Sequence, residues 1–141
     1  MKRNWLKNVV SLIGLTIFLI LAVGSTDESS VEKDVSTQSA SYSISAQQLY
    51  ADYKANEVAA DQRYKGKILE VYGEIDNIGK DITDTIYITL KGDKYFGSVQ
   101  CFFSKDHEYQ VANLSKGQFV TVKGKCDGKM MNILLRGCIL K

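Results

Sequence analysis

Proline is absent from this chain of 141 residues, histidine occurs once (His107), and the three cysteines include no CxxC pair. Without proline, chain reversals must be built on Gly, Asn and Asp, and the 11 glycines supply much of that need. A four-ligand zinc site would have to gather His107 with Cys101, Cys126 and Cys138, whose spacing fits no finger or ribbon, so no metal is expected. A nucleophile–base set is also missing. His107 lies between Asp106 and Glu108 in a charged stretch, which is how an exposed histidine looks. The segments "GKD" and "KGDK" lack the glycine spacing and following helix that cradle a phosphate. These gaps point to a protein that is not an enzyme and needs no cofactor. An undetected hydrolase is the alternative from another class, and the missing nucleophile–base set argues against it.

Neither sign of charge dominates. The formal charge is +2, but Lys2, Arg3 and Lys7 stand at the extreme N-terminus, and the rest of the chain holds 15 Lys/Arg against 16 Asp/Glu. That balance does not suit a dedicated polyanion binder. The residues from Arg63 to Lys141 carry 13 positive and 9 negative groups, while the segment before them is acidic.

Only one long hydrophobic run occurs. Val9 to Val23 is uncharged for fifteen residues and follows the basic Lys2, Arg3 and Lys7. Its length suits the core of a secretory signal and is short for a full membrane span. Small residues at Ala22 and Gly24 favour cleavage after Gly24 or Ser25; without cleavage, residues 1–24 serve as a membrane anchor. "LAVGS" is similar to a lipoprotein box, with Ser25 where the lipidated cysteine would stand. Residues 25–44 hold seven serines and few large apolar groups, which predicts a flexible polar linker. Residues 45–141 are expected to fold as one domain.

Within that domain Ser45 is an N-cap candidate with Gln48 three positions on, and Gly66 a C-terminal stop, which predicts one helix through residues 46–64. The periodicity then drops from about 3.6 to 2. Leu69, Val71, Gly73 and Ile75 alternate with Glu70, Tyr72, Glu74 and Asp76. Ile86, Ile88 and Leu90 form the inner set of a second strand, and Val99, Cys101 and Phe103 that of a third. A short helical stretch around Tyr109, Val111 and Leu114 comes next. The strand "QFVTVKGKC", a turn at "CDGK" and the strand "MMNILLRGCIL" close the chain. Gly73 and Gly124 fall where a small barrel must coil sharply. The order β-β-β-α-β-β, preceded by one α-helix, is that of the five-stranded OB-fold barrel.

The segments "QLYADYKANEVAADQRYKGKILEVYGEIDNIGKDI", "VQCFF", "LSKGQFVTVKGKCDG" and "GCIL", in that order, resemble the tRNA_anti-like family. These are exported bacterial OB-fold proteins, often described as lipoproteins. The resemblance covers Ser45 to Lys141, implies the OB-fold and an envelope location, and supplies no catalytic residues.

The ligand-binding candidates follow from strand parity. Tyr72, Tyr87 and Phe102 point outward from the first three strands and could stack bases or sugars, with Lys80, Lys123, Lys125 and Lys129 supplying charge. The plainer reading is ordinary cross-strand contact. Glu70, Glu74 and Asp76 flank Tyr72 and oppose a phosphate backbone. The function expected is therefore an exported binding or interaction module for an unidentified protein or polymer. Single-stranded nucleic acid or oligosaccharide on the face of the second and third strands is the alternative, with nucleic acid disfavoured. The membrane is a partner only through an uncleaved N-terminus. A disulfide is expected to be as open as its absence, with Cys101–Cys138 and Cys126–Cys138 as the candidate pairs.

Overall fold

The structure, a computed structural model, describes residues 34–141. The signal or anchor expected at 1–24 and the first part of the expected linker lie outside the described residues. The linker expectation needs correcting from Asp34 onward. Val35 is buried in a 3₁₀ turn, Val35–Thr37, whose Asp34 side chain accepts from the Ser36 N–H. Strand β1 (Tyr42–Ser45) then pairs in parallel with β2 (Ile68–Lys80). "YSIS" is too short and too rich in serine to announce itself. Its backbone groups, which any sequence carries, make the pairing.

The predicted single helix is two. Helix α1 (Ala46–Ala55) starts at Ser45, whose hydroxyl accepts from the Gln48 N–H at 3.0 Å as its spacing implied. Asn56 leaves the helical region (φ −159°), and its side chain accepts from the Ala59 N–H to cap α2 (Glu57–Tyr64). An Asn that can bond its own neighbouring backbone competes with helix continuation, which is why the break falls there. Leu49, Tyr53, Ala60 and Tyr64 are nevertheless buried as one face.

The remaining strands are β3 (Ile86–Lys91), β4 (Ser98–Phe103), β5 (Phe119–Lys129) and β6 (Ile133–Leu140), with helix α3 (Glu108–Ala112) between β4 and β5. β2 is long enough to serve two neighbours. Its first half pairs with β5 and its second half with β3, so the sheet β2-β3-β4-β6-β5 closes on itself. β4 and β6 run parallel and the other barrel pairs antiparallel. This closed five-stranded barrel with a helix between its third and fourth strands is the OB-fold.

The strand parities read from the sequence hold: Leu69, Val71, Ile75, Ile88, Leu90, Val99, Cys101 and Val122 are fully buried. Gly73 is needed because a Cβ there would come 3.1 Å from that of Ala46, where α1 plugs the barrel mouth. Gly124 is needed because a Cβ would come 2.6 Å from the Cys138 sulfur. The last turn is displaced from "CDGK". β5 continues through Lys129, with Gly128 (φ +81°) at a register shift, and the chain reverses at Met130–Asn132.

The bridge considered for Cys138 is not formed. All three thiols are free and buried, as small apolar side chains filling the core. Cys126 faces the Tyr53 hydroxyl at 3.6 Å. Burial pushes the Cys126 thiol up, and burial together with its neighbour Cys101 pushes Cys138 up further. Since the thiolate is the reactive species, native protein at pH 8 is expected to react with a thiol reagent only at the rate of unfolding, and unfolded protein to yield three equivalents at once. Stopped-flow kinetics with Ellman's reagent check this; a fast equivalent in native protein would contradict it.

Candidate functional site

Strand parity sends Tyr72, Tyr87 and Phe102 outward as expected, but a closed barrel has no single outside. Tyr72 lies in the half of β2 that pairs with β5, opposite Thr121, while Tyr87 and Phe102 are direct partners on β3 and β4. The predicted aromatic row therefore splits into two sites on different sides.

The first site is the outer face of β3, β4 and β6. The rings of Tyr87 and Phe102 meet edge to face with centroids 6.1 Å apart, and the Arg136 guanidinium lies 5.0 Å from the centre of Phe102. Tyr87 crosses Gly79, since a Cβ there would fall 3.0 Å from its hydroxyl, and that hydroxyl is 3.5 Å from the Asn77 amide. The ring thus covers a glycine on the neighbouring strand, one physical reason for its presence that requires no ligand. Beside this row stands a polar one: Thr89, Gln100 and Asn132, with the Asn132 amide donating to Gln100 Oε1 at 3.3 Å. Thr89 is 7% exposed and its hydroxyl has no hydrogen-bond partner among the described residues. That hydroxyl is enclosed under its neighbours rather than presented at the surface.

Most of the lysines expected to charge this face are spoken for. Lys80 bonds Glu108 at 3.0 Å and Asp84 at 3.4 Å, and the hydrogen bond to Glu108 foremost holds its pKa above the ordinary lysine value. Lys91, which was not among those expected, is paired with Glu74, and this raises its pKa likewise. Lys129 reaches Glu57 at 3.3 Å, beside the helices. Lys123 is 6% exposed, on the opposite side, with its ammonium 3.4 Å from the Ser36 carbonyl. Only Lys125, exposed on β5 opposite Arg136 in the register, suits the role foreseen for it. Arg136 itself was not foreseen, and it is bound to Asp127 at 2.6 Å. Its place beside Phe102 depends on the parallel β4–β6 pairing, which no local sequence pattern announces.

The second site surrounds Tyr72. Phe119, on β5 opposite Glu74, is 76% exposed, and Tyr72 is 48% exposed. Between and beside them runs a groove of about 490 Å³ floored by Leu114, Val120 and Leu140. The alternation of "QFVTV" places Phe119 outward; its meeting with Tyr72 needed the β2–β5 register.

Among the described residues no group of His, Cys, Asp and Glu is placed to hold a metal ion. His107 is half-buried, with Nδ1 3.1 Å from Gln110 Oε1 and its ring against Phe103.

The model of one family, tRNA_anti-like, matches residues 1–139. No curated protein matches. Among solved structures, the chain is similar to a protein from Klebsiella pneumoniae described as a "putative nucleic acid-binding lipoprotein", at 21% identity and a TM-score of 0.58, over 70% of this chain and 90% of that one. A looser likeness, at 17% identity and a TM-score of 0.43 over 55% of this chain and 84% of the other, is to an OBody bound to hen egg-white lysozyme. The likeness to the Klebsiella protein concerns the fold alone.

Proposed function

Since this chain belongs to the tRNA_anti-like family, we propose that its barrel is a non-enzymatic binding module of the bacterial cell envelope whose ligand is not nucleic acid. The basic, uncharged and small-residue succession of the N-terminus supports export, and the name carried by the Klebsiella neighbour agrees with an envelope location. The observation that carries the reading is the internal use of the cations. A strand of phosphates is held by a continuous positive groove and gains affinity by releasing counterions from it. On the face where OB-folds take polymers, Lys80, Lys91 and Arg136 are each committed to a carboxylate of the same domain. What remains there is a pair of rings, an amide row and the exposed Lys125, too little positive charge to track a run of phosphates and a surface suited to a protein segment or an uncharged polymer.

The second reading, single-stranded nucleic acid on this face, draws on the contiguity of Tyr87, Phe102 and Arg136. Titration of labelled single-stranded DNA and of tRNA separates the two. The proposal expects a Kd no tighter than about 10⁻⁵ M near physiological salt, the non-specific range. A tight complex that weakens steeply with salt and is lost in the double variant Tyr87→Ala, Phe102→Ala would establish the second reading instead.

A further inference from the structure

The outer face of β1, β2 and β5 lies away from the strands on which OB-folds take polymers. The register places Ser43, Glu70 and Lys123 side by side across the three strands, and Tyr72 beside Thr121 in the next row. Glu74 and Phe119 form the row after that. Two concavities lie along these rows. One is the groove of about 490 Å³ around Tyr72 and Phe119; the other, of about 530 Å³, lies between the 36–43 segment and Glu70 and Lys123. Lys141 lines both. It is fixed by its N–H to the Thr121 carbonyl at 3.0 Å and by its ammonium to Glu70 at 3.2 Å. Glu70 and Tyr72 are two residues apart on one strand face, as are Lys123 and Thr121, so the concavities form one track.

The chemistry changes along the track. At one end two rings stand open to solvent. Tyr72 and Phe119 are diagonal neighbours on antiparallel strands, a spacing of roughly 7–8 Å between backbone positions. They stand free of each other, unlike the Tyr87–Phe102 pair, and leave an apolar floor between them. At the other end the wall is hydroxyls: Ser36, Thr37, Ser39, Ser41 and Ser43. Between the ends Glu70 and Lys141 offer acceptors and donors while cancelling each other's charge. Lys123 has a desolvated ammonium with three protons to donate, and one long bond to the Ser36 carbonyl leaves donor capacity beside the hydroxyl wall.

Rings with exposed faces suit the C–H faces of pyranose sugars. Hydroxyls and a neutralised ion pair suit the sugar hydroxyls. Glu70 and Glu74, each paired with a lysine, leave the track without a row of free cations to hold phosphates, and the polar wall disfavours an acyl chain. We propose that this face is a second binding site, for an uncharged oligosaccharide chain. Tyr72 and Phe119 are its stacking platforms, and the Glu70–Lys141 pair with the serine-rich wall holds the next sugar units. The inference goes beyond the module reading above, because it assigns both the ligand class and a face distinct from that of Tyr87 and Phe102.

Isothermal titration of the full chain with chitohexaose, cellohexaose and maltohexaose tests it, with amide chemical shifts followed in parallel. At least one of the three should bind, with shifts concentrated at residues 70–74 and 118–121. Tyr72→Ala and Phe119→Ala should each weaken binding by about tenfold, corresponding to about 1.4 kcal/mol. The Tyr87→Ala, Phe102→Ala variant should bind as the parent does, and affinity should be unchanged between low and physiological salt. Both variants at the track replace exposed rings, so the fold is retained and the shift map confirms it. If none of the hexasaccharides binds, the proposal is overturned. If one binds but the loss follows Tyr87 and Phe102, this site falls while the module reading stands. Tight salt-dependent binding of oligonucleotide in the same cell overturns the module reading and leaves the glycan result to stand by itself.

Discussion

Leu49→Ala is expected to destabilise the domain by about 2–5 kcal/mol, the range for removing a fully buried leucine from a packed core. Leu49 is 0% exposed and stands with Ala46 and Tyr53 on the face by which α1 closes the barrel mouth. The helix is joined to the barrel by more than this one side chain. Tyr53 faces the Cys126 sulfur of β5 at 3.6 Å, Tyr50 donates to the Phe96 carbonyl of the β3–β4 loop at 2.9 Å, and Ala46 sits over Gly73. A single cooperative unit should therefore lose its midpoint as a whole, by roughly 4–8 °C per kcal/mol for a domain of this size. Thermal unfolding followed by far-ultraviolet dichroism and by tyrosine fluorescence should give one shifted transition. A variant whose barrel melted at the parental temperature, with only helical signal lost, would show α1 to be an appendage.

Gly97→Ala should cost about 3 kcal/mol, for two reasons that add. Gly97 has φ +136°, which an L side chain rarely adopts, and its Cβ would fall 2.1 Å from the Tyr50 ring. That ring closes the β3–β4 loop by donating its hydroxyl to the Phe96 carbonyl at 2.9 Å. Asp93 holds the same loop by accepting from the Tyr95 and Phe96 N–H groups, bonds that keep its carboxyl below the ordinary aspartate range. Gly66→Ala is the matched control. Gly66 also has a positive φ (+80°), but nothing lies within 4 Å of its missing Cβ, so only the backbone cost of about 1 kcal/mol applies. Denaturant midpoints at constant m-value compare the two; equal losses would remove the steric part of the argument.

The parts of the fold legible in sequence were those written in side-chain period. Leu69, Val71, Gly73 and Ile75 announce an inner face because a strand turns its side chains over every second residue, and that geometry is local. Ser45 and Gln48 announce a helix start for the same reason. What stayed hidden depended on partners distant in sequence. β1 is held by backbone bonds to β2, and its residues carry no pattern. The separation of Tyr72 from Tyr87 follows from β2 exchanging β5 for β3 along its length, with a register shift between Ile75 and Asn77. Lys123 reads as an outward cation, and it is outward, but the 36–41 segment folds over it. The Arg136–Asp127 pair spans a hairpin whose turn lies beyond the glycine of "CDGK".

The proposed indifference to nucleic acid rests on carboxylates of the barrel occupying most of the cations beside the Tyr87–Phe102 face. It is tested most directly by releasing them. In the triple variant Asp84→Asn, Glu108→Gln, Asp127→Asn, Lys80 and Arg136 keep their places beside the Tyr87–Phe102 face and lose their partners. The measurement is the affinity of this variant and of the parent for a labelled single-stranded oligonucleotide across a salt series. The account predicts negligible parental binding and measurable binding by the variant, with log K falling against log salt by about 0.7 for each phosphate that the freed cations neutralise. A parent that already binds tightly with a steep salt slope, or a folded variant that binds no better than the parent, would contradict it.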